Sequence, residues 1–388
     1  MGASRARSNG CAMPEGLDLV VVETPLQLLN AVEYRQRVGW AAPALLVLLV
    51  PPFSKRSFAA LHRPLAWRSV SYLPVYSQRL VEIGELPVEE RGFLLEQYRN
   101  LWRLRLRWRL DRYARRIGQV GTLVIGNYLP GHKNYIRHLA HCVAHRQLVL
   151  VDDGTDTLIV NERRRAALER GGPAPEPARR GSWKERFKTR WMELRAAEVP
   201  ALTYFSVYDL ALPPSDSLVK NDYRALRALA AGAERTEEIY FLGQALVGDG
   251  FMAAPTYRRV LAAAQAHFAP ERLTYVAHPR ESPGDLEQWR GLGLKITRFA
   301  TPIEYELTVS GRRPRRMAGF FCSALENCAL IFGEELPITC FELPSAVLDK
   351  NRQEVAGFYA ALRRRAGPHF AVVPLTALSG PAPGAPAR

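Results

Sequence analysis

Two short stretches of this chain carry residues that could do acid–base chemistry and bind a phosphate. The first, DDGTD at 152–156, follows the apolar run 147–150. The second, HPR at 278–280, follows the apolar run 272–277. A carboxylate in one stretch and a His–Arg pair in the other would suit a reaction that removes a proton from one substrate and stabilises a departing phosphate on a second.

Each stretch also has simpler interpretations. Asp-Asp-Gly after a strand is a common turn, because Asp bonds to nearby backbone and Gly takes positive φ. Asp153 and Asp156 could chelate a cation, but hard cations usually gather more carboxylates than these. A phosphatase signature of the DxDGT type is excluded, because Val151 stands where that signature needs its nucleophilic carboxylate. His278 alone could be an ordinary histidine at the end of a strand.

The elements that position these residues follow from hydrophobic patterning. Short apolar runs alternate with segments of helical length, which predicts parallel sheets covered by helices on both faces. In the first half the runs predict strands near 17–22, 44–50, 68–73, 122–125 and 147–151. The segments between them predict helices near 25–38, 54–65, 86–117 and 132–144. We therefore expect one doubly wound unit, with the stretch 152–156 just beyond its last strand.

A second series of the same kind follows. Its predicted strands lie near 238–242, 272–277, 294–298, 317–321 and 328–332. Its predicted helices lie near 254–268, 283–291, 302–309 and 323–327. Ligands of such sheets bind at the carboxyl ends of the strands, and the stretch 278–280 follows one of these ends. If the two units face each other, the acidic and basic stretches line one cleft.

Composition shifts suggest the domain boundaries. A chain of 388 residues commonly forms two domains. The segment 161–190 is rich in Arg, Pro and Gly without steady periodicity, which predicts a mobile insertion in the first domain. The predicted organisation is a disordered N-terminus 1–16, an N-terminal domain 17–230, a C-terminal domain 231–350, a helix and following strand within 351–377, and a disordered tail 378–388.

Charge and cysteine usage restrict the partners and the compartment. The 53 Lys and Arg against 38 Asp and Glu leave a net charge of +15, which favours an anionic partner without choosing among nucleotide, nucleic acid, acidic glycan and membrane. No two cysteines form a CxxC pair, so reduced thiols in a cytoplasmic protein explain them better than disulfides or zinc. The cysteines are Cys11, Cys142, Cys322, Cys328 and Cys340.

The apolar runs predict no membrane span. The N-terminal segment lacks an apolar signal core, and the longest hydrophobic run, 40–53, is too short to cross a bilayer and contains three prolines. We therefore expect a soluble cytoplasmic protein that could still sit on the surface of the inner membrane.

The segment 91–116 carries nine arginines and two acids, interleaved with Leu, Trp and Tyr. A helix with a solvated face and a buried stripe explains this pattern. Docking to an anionic membrane is the functional alternative. Arginines with aromatic residues also suit nucleic acid, but the chain has no RRM, KH, zinc or helix-turn-helix signature, so nucleic-acid binding is not expected.

Several motifs in one order resemble those of bacterial sialyltransferases of the lipooligosaccharide and capsule polysialyltransferase type. The similar segments span most of the chain: ETPLQLLNAVEY (23–34), VDDG (151–154), YFLGQALVGDGF (240–251), VAHPRE (276–281), TPIEYEL (301–307) and FFCSALENC (320–328). The D/E-D-G and HP motifs are each weak alone and fairly specific together with GQ and PIE. The resemblance implies a GT-B architecture, which is two facing Rossmann-like domains with an interdomain cleft, and a helix near 350–365 that returns to the N-terminal domain.

The resemblance assigns the acceptor side of the reaction to the first domain. Asp153 would be the general base that takes the proton from an acceptor hydroxyl, with Asp152 and Gly154 completing its motif in the substrate region. Thr24 and Gln27 would reach the donor sugar or the acceptor. Thr24 followed by proline is also a sound helix cap in its own right.

The resemblance assigns the phosphate to the second domain. His278, with Pro279 and Arg280, would hold the phosphate of the departing CMP, and His278 would protonate it. The family places a pair of serines after the HP motif, and here Cys322 and Ser323 occupy that pair, so only the second hydroxyl is kept. A helix beginning at Ser323 would still aim its backbone amides at a phosphate.

The nucleoside contacts are also implied by the resemblance. Glu304 is similar to the family's carboxylate near the ribose, although an acid in the first turn of a helix would look the same. Gly243 and Gln244 would meet the cytosine, although core packing explains the glycine equally well.

These expectations combine into an inverting glycosyltransferase. It would transfer sialic acid, or a related nonulosonic acid, from a CMP-activated donor to a hydroxyl of a bacterial surface glycan or lipid-linked glycan. No metal and no cofactor beyond the donor are expected, because positive groups meet the phosphate. The alternatives are a CMP-Kdo-dependent transferase of the same architecture and a non-catalytic basic protein that binds membrane or nucleic acid.

Overall fold

The computed structural model describes two compact units. Its described residues are 17–40, 43–51, 53–75, 88–129, 135–169, 194 and 198–375. The chain divides at Lys220, so that Met1–Lys220 forms the first unit and Asn221–Arg388 the second. The boundary predicted at 230 was too late, because the helix Arg224–Ala230 packs against helices of the second unit.

The first unit is built on a seven-stranded parallel sheet. Its strands are β1 Leu19–Val22, β2 Ala44–Leu49, β3 Ser69–Pro74, β4 Gln119–Ile125, β5 Ala144–Val151, β6 Thr203–Ser206 and β7 Ser217–Lys220. The order across the sheet is β3-β2-β1-β4-β5-β6-β7, so the direction of winding reverses between β1 and β4. The five predicted strands are confirmed. β6 and β7 were not predicted, so the stretch 152–156 does not follow the last strand.

The helices of the first unit begin and end largely where local signals indicate. They are α1 Pro25–Val38, α2 Lys55–His62, α3 Val88–Ile117, α4 Tyr135–Cys142 and α5 Asp156–Glu169. At the start of α1, the Thr24 hydroxyl accepts from the backbone N–H of Gln27, and Gly39 ends the helix at φ 72°. The insertion predicted from 161 was placed too early, because α5 continues to Glu169, and its remainder 170–190 lies outside the described residues.

Helix α3 carries the arginine-rich segment. Leu106 and Leu110 are buried against the core, as the amphipathic interpretation predicted. A second group of apolar side chains on the same helix faces solvent, with Leu101 65% and Trp108 54% exposed. Within the described residues no helix is long and apolar enough to cross a membrane.

The second unit is built on a six-stranded parallel sheet. Its strands are β9 Ile239–Leu242, β10 Leu273–Val276, β11 Lys295–Thr297, β13 Arg316–Gly319, β14 Ile338–Glu342 and β15 Phe370–Pro374. The order is β11-β10-β9-β13-β14-β15, and the winding reverses between β9 and β13. The short strands β8 Glu234–Arg235 and β12 Arg312–Arg313 pair separately. Two Rossmann-like units in one chain are the fold class that the sequence predicted.

One predicted strand of this unit was wrong. The helices are α6 Arg224–Ala230, α7 Ala254–His267, α8 Pro283–Arg290, α9 Ile303–Ser310, α10 Ser323–Phe332 and α11 Arg352–Arg365. The segment 328–332, predicted as a strand, is the second half of α10. A short apolar run cannot be told from a buried helical segment by periodicity alone. The strand in this position is β14, which follows a few residues later.

Candidate active site

In the first unit, polar residues gather where β1, β4 and β5 end. These three strands are neighbours in the sheet, and the reversal of winding falls between β1 and β4. Glu23 and Thr24 follow β1, Asn127 follows β4, and Asp153 follows β5. We call this group, together with Gln27, the Asp153 edge. Carboxyl ends at a switch point are where open α/β sheets bind ligands.

Asp153 is held by two side chains from the start of α1. The Thr24 hydroxyl donates to its Oδ1 at 3.2 Å, and the Gln27 amide Nε2 donates to its Oδ2 at 2.8 Å. Gln27 Oε1 in turn accepts from the backbone N–H of Glu23 at 2.8 Å. The backbone therefore fixes which end of the Gln27 amide faces the carboxylate, and the sequence separation of more than 120 residues explains why patterning alone could not show this pairing.

The close approach of Gln27 requires a glycine at the end of β4. A Cβ on Gly126 would lie 2.0 Å from Gln27 Oε1. Gln27 is fully buried, so its amide has no second position to move to without displacing its neighbours. Gly126 thus leaves the space that Gln27 needs in order to bond with Asp153.

The environment raises the pKa of Asp153 to about 7. Burial is the main cause, and the nearby negative charges of Asp156 and Glu23 add to it. The hydrogen bonds from Gln27 and Thr24 oppose the shift, because they favour the ionised form. A carboxylate with a pKa near neutrality is suited to accept a proton during a reaction.

Glu23 is a site residue for which the sequence predicted no role. It is only 8% exposed, and its two oxygens accept from Tyr135 Oη at 2.6 Å and Asn127 Nδ2 at 3.1 Å. These contacts tie the loop after β1 to the loop after β4 and to the start of α4. An acid directly before the Thr-Pro cap was the available signal, whereas nothing local marked Tyr135 or Asn127.

The prediction that Asp152 contacts substrate is corrected by its burial. Its side chain is 2% exposed, and its Oδ2 accepts from the backbone N–H of Val207 at 2.7 Å. Burial raises its pKa to about 6, opposed by hydrogen bonds from Ser206 and Val207. Asp152 therefore anchors the end of β6 to the end of β5.

Gly154 belongs to the turn that the simpler interpretation predicted. Its φ is 61°, and the backbone N–H of Asp156 donates to Asp153 O at 3.4 Å as α5 begins. The turn and the acid–base interpretation are thus compatible, because the turn presents Asp153 while Asp152 points inward. The structure offers Gly154 no side chain for a substrate contact.

In the second unit, the ends of β9, β10 and β13 lie side by side, and the winding reverses between β9 and β13. Gln244 follows β9, His278 follows β10 and Ser323 follows β13. Arg298 follows β11, the neighbour of β10 on its other side. We call these four residues the His278 edge. Gln244 Nε2 donates to Phe321 O at 2.7 Å and so links the first and third loops.

His278 is held in one tautomer by its own loop. Its backbone N–H donates to Glu281 Oε2 at 2.6 Å, and its ring Nδ1 accepts from the backbone N–H of Arg280 at 3.2 Å. The proton of the neutral ring is therefore on Nε2. Burial lowers the pKa of His278 to about 4, and the positive charges of Arg280 and Arg298 lower it further. His278 is a neutral N–H donor at physiological pH.

Glu281 supports the His278 loop from its buried side. It is 6% exposed, and its Oε1 accepts from Tyr275 Oη at 2.6 Å and Trp289 Nε1 at 3.2 Å. Tyr275 also meets Tyr257, with 2.8 Å between their hydroxyl oxygens. Burial raises the pKa of Glu281. Glu281 lies in the segment VAHPRE (276–281), and the sequence predicted no role for it.

The two arginines near His278 differ in their partners. Arg280 was predicted to be available for a phosphate, but its Nη1 and Nη2 each lie 3.0 Å from an oxygen of Asp249, in a bidentate pair. Arg298 Nη2 instead donates to the carbonyls of His278 at 3.3 Å and Glu281 at 2.8 Å. Arg298, which the sequence did not mark, therefore brings a positive charge directly to the His278 loop.

Helix α10 begins at Ser323, as predicted, with Cys322 as its N-cap. Burial raises the pKa of the Cys322 thiol to about 12, so it stays protonated at neutral pH. The first turn of α10 lies at the same sheet edge as Gln244 and His278, and within it the backbone N–H of Leu325 donates to Cys322 O at 3.3 Å. The neighbouring Pro279 is exposed and makes the corner after His278.

Two residues predicted to contact the nucleotide have structural roles instead. Glu304 is 2% exposed, and its Oε1 accepts from Asn327 Nδ2 at 2.8 Å, which ties α9 to α10. Burial raises its pKa. Gly243 leaves room for the ring of Tyr275, because a Cβ there would lie 2.4 Å from the Tyr275 hydroxyl. The ribose contact is corrected, and core packing explains the glycine.

Comparisons with known proteins bear on fold only. No family model matches the chain, and no curated protein matches it. The α/β-galactoside α-2,3-sialyltransferase of Photobacterium phosphoreum aligns with 94% of this chain and 100% of its own, at 11% identity and a TM-score of 0.46. MurG of Acinetobacter baumannii aligns with 93% and 86%, at 10% identity and 0.39. The E. coli heptosyltransferase WaaC with ADP aligns with 93% and 96%, at 12% identity and 0.39.

Within each unit the structure brings predicted residues together. Thr24, Gln27 and Asp153 form one hydrogen-bonded group, while His278 and Gln244 share the second edge. The buried oxygen Gln244 Oε1 has no hydrogen-bond partner among the described residues. A buried acceptor without a partner is costly, and a donor from a bound molecule would remove that cost.

Proposed function

We propose that this protein is an inverting glycosyltransferase that transfers sialic acid, or a related nonulosonic acid, from CMP to a hydroxyl of a bacterial surface glycan. The observation that carries the proposal is Asp153, a partly exposed carboxylate with a pKa of about 7 that is oriented by Thr24 and Gln27. A purely structural turn would not need that arrangement.

Asp153 serves as the general base. It takes the proton of the acceptor hydroxyl while the hydroxyl oxygen attacks the anomeric carbon of the donor. The bond from that carbon to the phosphate oxygen breaks as the new glycosidic bond forms, and the electron pair leaves with CMP. A single displacement of this kind inverts the anomeric configuration.

The His278 edge binds the nucleotide. The Nε2–H of His278 donates to the phosphate, and Arg298 and the first-turn amides of α10 balance its charge. The unpaired Gln244 Oε1 accepts from the amino group of the cytosine. Cys322 replaces the first serine of the related family's pair, so the remaining hydroxyl contact comes from Ser323.

The transfer needs no metal in this proposal. Neutral and cationic donors from the protein would meet the phosphate, and the leaving group of a CMP-activated sugar is a nucleoside monophosphate rather than a diphosphate. The donor is a substrate, and the reaction requires no further cofactor.

The acceptor is proposed to reach the enzyme at a membrane. Leu101 and Trp108 are exposed on α3 among its arginines. The guanidinium carbon of Arg112 lies 5.2 Å from the centroid of the Trp108 ring. A basic face with exposed apolar side chains suits an anionic bilayer surface. The protein would then be cytoplasmic and peripheral on the inner membrane, facing a lipid-linked glycan.

A donor panel tests the proposal. Purified protein is incubated with CMP-sialic acid, CMP-Kdo or UDP-glucose and a surface-glycan acceptor, and CMP or UDP release is followed with Asp153→Ala as the background. Acceptor-dependent release from CMP-sialic acid above that background supports the proposal, and release only from CMP-Kdo would favour the alternative donor. Release from UDP-glucose alone would overturn the CMP assignment, and release that requires added Mg²⁺ or Mn²⁺ would overturn metal independence.

A further inference from the structure

Three metal-ligating side chains outside the candidate active site converge in the first unit. Asp111 lies on α3, and His138 and Cys142 lie on α4. Their atoms Asp111 Oδ1, His138 Nε2 and Cys142 Sγ all lie within 4.8 Å of one another, and no other such group occurs among the described residues. His138 and Cys142 are four residues apart, which places them on one face of α4.

The three atoms are spaced as ligands of one small cation would be. The separations are 2.9 Å from His138 Nε2 to Asp111 Oδ1, 3.5 Å from Cys142 Sγ to Asp111 Oδ1 and 3.6 Å from Cys142 Sγ to His138 Nε2. Tetrahedral zinc, with bonds of about 2.0–2.3 Å, sets its ligands about 3.3–3.6 Å apart. Both sulfur separations fit, and the His–Asp separation is that of the hydrogen bond which a cation would replace.

The same geometry argues against a nucleophilic cysteine. A Cys–His–Asp relay needs the carboxylate on one ring nitrogen of the histidine and the thiol on the other. Here Asp111 and Cys142 both approach Nε2 of His138. Groups that share one nitrogen cannot pass a proton along the ring, but they can share one cation.

The surroundings leave a route to solvent. The side chain of His138 is fully buried, whereas that of Asp111 is 35% exposed. Arg107 Nε lies 3.7 Å from the second oxygen of Asp111, Oδ2, so it competes for the charge of the carboxylate while leaving Oδ1 toward the cluster. A cation would enter from the Asp111 side and keep water in its fourth position.

We propose that Asp111, His138 and Cys142 form a binding site for a zinc-class divalent cation. An imidazole nitrogen, a thiolate and a carboxylate together favour Zn²⁺ over Mg²⁺ or Ca²⁺. Binding displaces the thiol proton of Cys142 to solvent and uses the Nε2 lone pair of His138, with the ring proton on Nδ1. The cation pins α3, which carries the exposed arginines, to α4. This site stands independently of the proposed transferase activity.

The sequence reasoning favoured free thiols because no two cysteines form a CxxC pair. The signal it passed over is the spacing of His138 and Cys142, and Asp111 joins them only because α3 and α4 pack together. The proposal therefore concerns one cysteine with ligands of other types, a combination that cysteine counting does not detect.

The test measures metal binding to the full-length, tag-free, reduced protein after removal of bound metal with a chelator. Cobalt should bind with one equivalent and produce a sulfur-to-cobalt charge-transfer band, which zinc should abolish by displacement. Zinc should also raise the melting temperature. Loss of the Cys142 ligand in Cys142→Ala should abolish the band and weaken zinc binding more than about 100-fold, since even indirect partners of a metal site contribute 10- to 100-fold.

Controls separate this site from the remaining thiols and from misfolding. Cys328→Ala, which removes a buried thiol of the second unit, should keep the band and the affinity. Asp111→Asn keeps the hydrogen-bonding shape and should weaken zinc severalfold, whereas Arg107→Gln should tighten it. The absence of a cobalt–thiolate band in the wild-type protein, or equal zinc affinity in wild type and Cys142→Ala, would overturn the proposal.

Discussion

The two sheets end in the same topological feature but hold different chemistry there. At the Asp153 edge a carboxylate sits among neutral donors and other acids, and burial with those charges raises its pKa to about 7. At the His278 edge an imidazole sits beside two arginines, and burial with their charges lowers its pKa to about 4. Each environment favours the neutral form of its group, so the ionised fraction of Asp153 has a raised affinity for a proton and His278 is a neutral hydrogen-bond donor to an anion.

The two groups also differ in how far their support extends along the chain. Asp153 depends on Thr24 and Gln27, which lie more than 120 residues away, and hence on the register that brings β1 and β5 to the same edge. His278 is held by Arg280 and Glu281 within its own loop. The first arrangement is long-range and sensitive to packing of the sheet, whereas the second is local.

Asp153→Ala removes the proposed base and should have the largest effect. If Asp153 is the base, the transfer rate should fall by about 10²- to 10⁴-fold, because general base catalysis contributes that much. Binding of CMP should change less than about twofold, since the nucleotide is proposed to bind at the other edge. Turnover by CMP release and CMP affinity by calorimetry measure both quantities. Asp153→Asn is the matched control, because it keeps the shape and should lose as much activity.

His278→Ala should instead act mainly on CMP binding. Loss of a hydrogen bond to a charged phosphate should weaken CMP binding about 10- to 100-fold. His278→Gln, which keeps an N–H donor, should recover part of that affinity. Cytidine, which lacks the phosphate, should bind wild type and His278→Ala alike. Equal losses for cytidine and CMP would show that the variant had disturbed the loop rather than a phosphate contact.

The pH dependence of turnover distinguishes Asp153 from His278. Asp153 must be ionised to act, so kcat/KM should fall about tenfold per pH unit as pH drops below its pKa of about 7. His278, with a pKa of about 4, stays neutral between pH 5 and 9 and should add no second limb in that range. An initial-rate profile measured from pH 5 to pH 9 tests both statements.

Gln27→Met tests whether Asp153 causes the fall of kcat/KM at low pH. It removes the hydrogen bond that lowers the pKa of Asp153, so the acid limb should move to higher pH. Stability gives a second readout, because a carboxyl whose folded pKa is raised binds a proton on folding. The wild-type protein should therefore gain stability over Asp153→Ala as pH falls from about 7 toward about 4. If Gln27→Met left the acid limb of kcat/KM at its wild-type pH, ionisation of Asp153 would not be the cause of that limb.

The sequence predicted those features of the two sheet edges that depend on local pattern. Apolar runs located nine of the strands in the two main sheets, and Thr24, Gln27, Asp153 and His278 came from motifs that sit at strand ends. The errors arose where tertiary burial decides. The segment 328–332 is apolar enough for a strand or a helix, and Glu304 has no local feature that distinguishes a ribose ligand from a buried tie to Asn327.

The supporting residues were the least predictable. Glu281 lies inside a predicted motif segment, but two of its three hydrogen bonds form only because β10 and α8 bring Tyr275 and Trp289 to it. Arg298 lies twenty residues beyond His278 and reaches it only because β10 and β11 are neighbours in the sheet. Patterning reports which face a residue takes, whereas these contacts depend on which strands are adjacent.

The two arginines near His278 should differ by the smallest amount. Arg280 is engaged with Asp249, so Arg280→Gln should change CMP affinity less than about twofold, as for an exposed ion pair. Arg298 bonds the carbonyls of His278 and Glu281, so Arg298→Gln should weaken CMP severalfold and make the remaining binding less sensitive to salt. Calorimetric titrations at low and physiological ionic strength measure both. A larger loss for Arg280→Gln than for Arg298→Gln would mean that Arg280 leaves Asp249 when nucleotide binds, and that the phosphate contact predicted from the sequence is formed only in the complex.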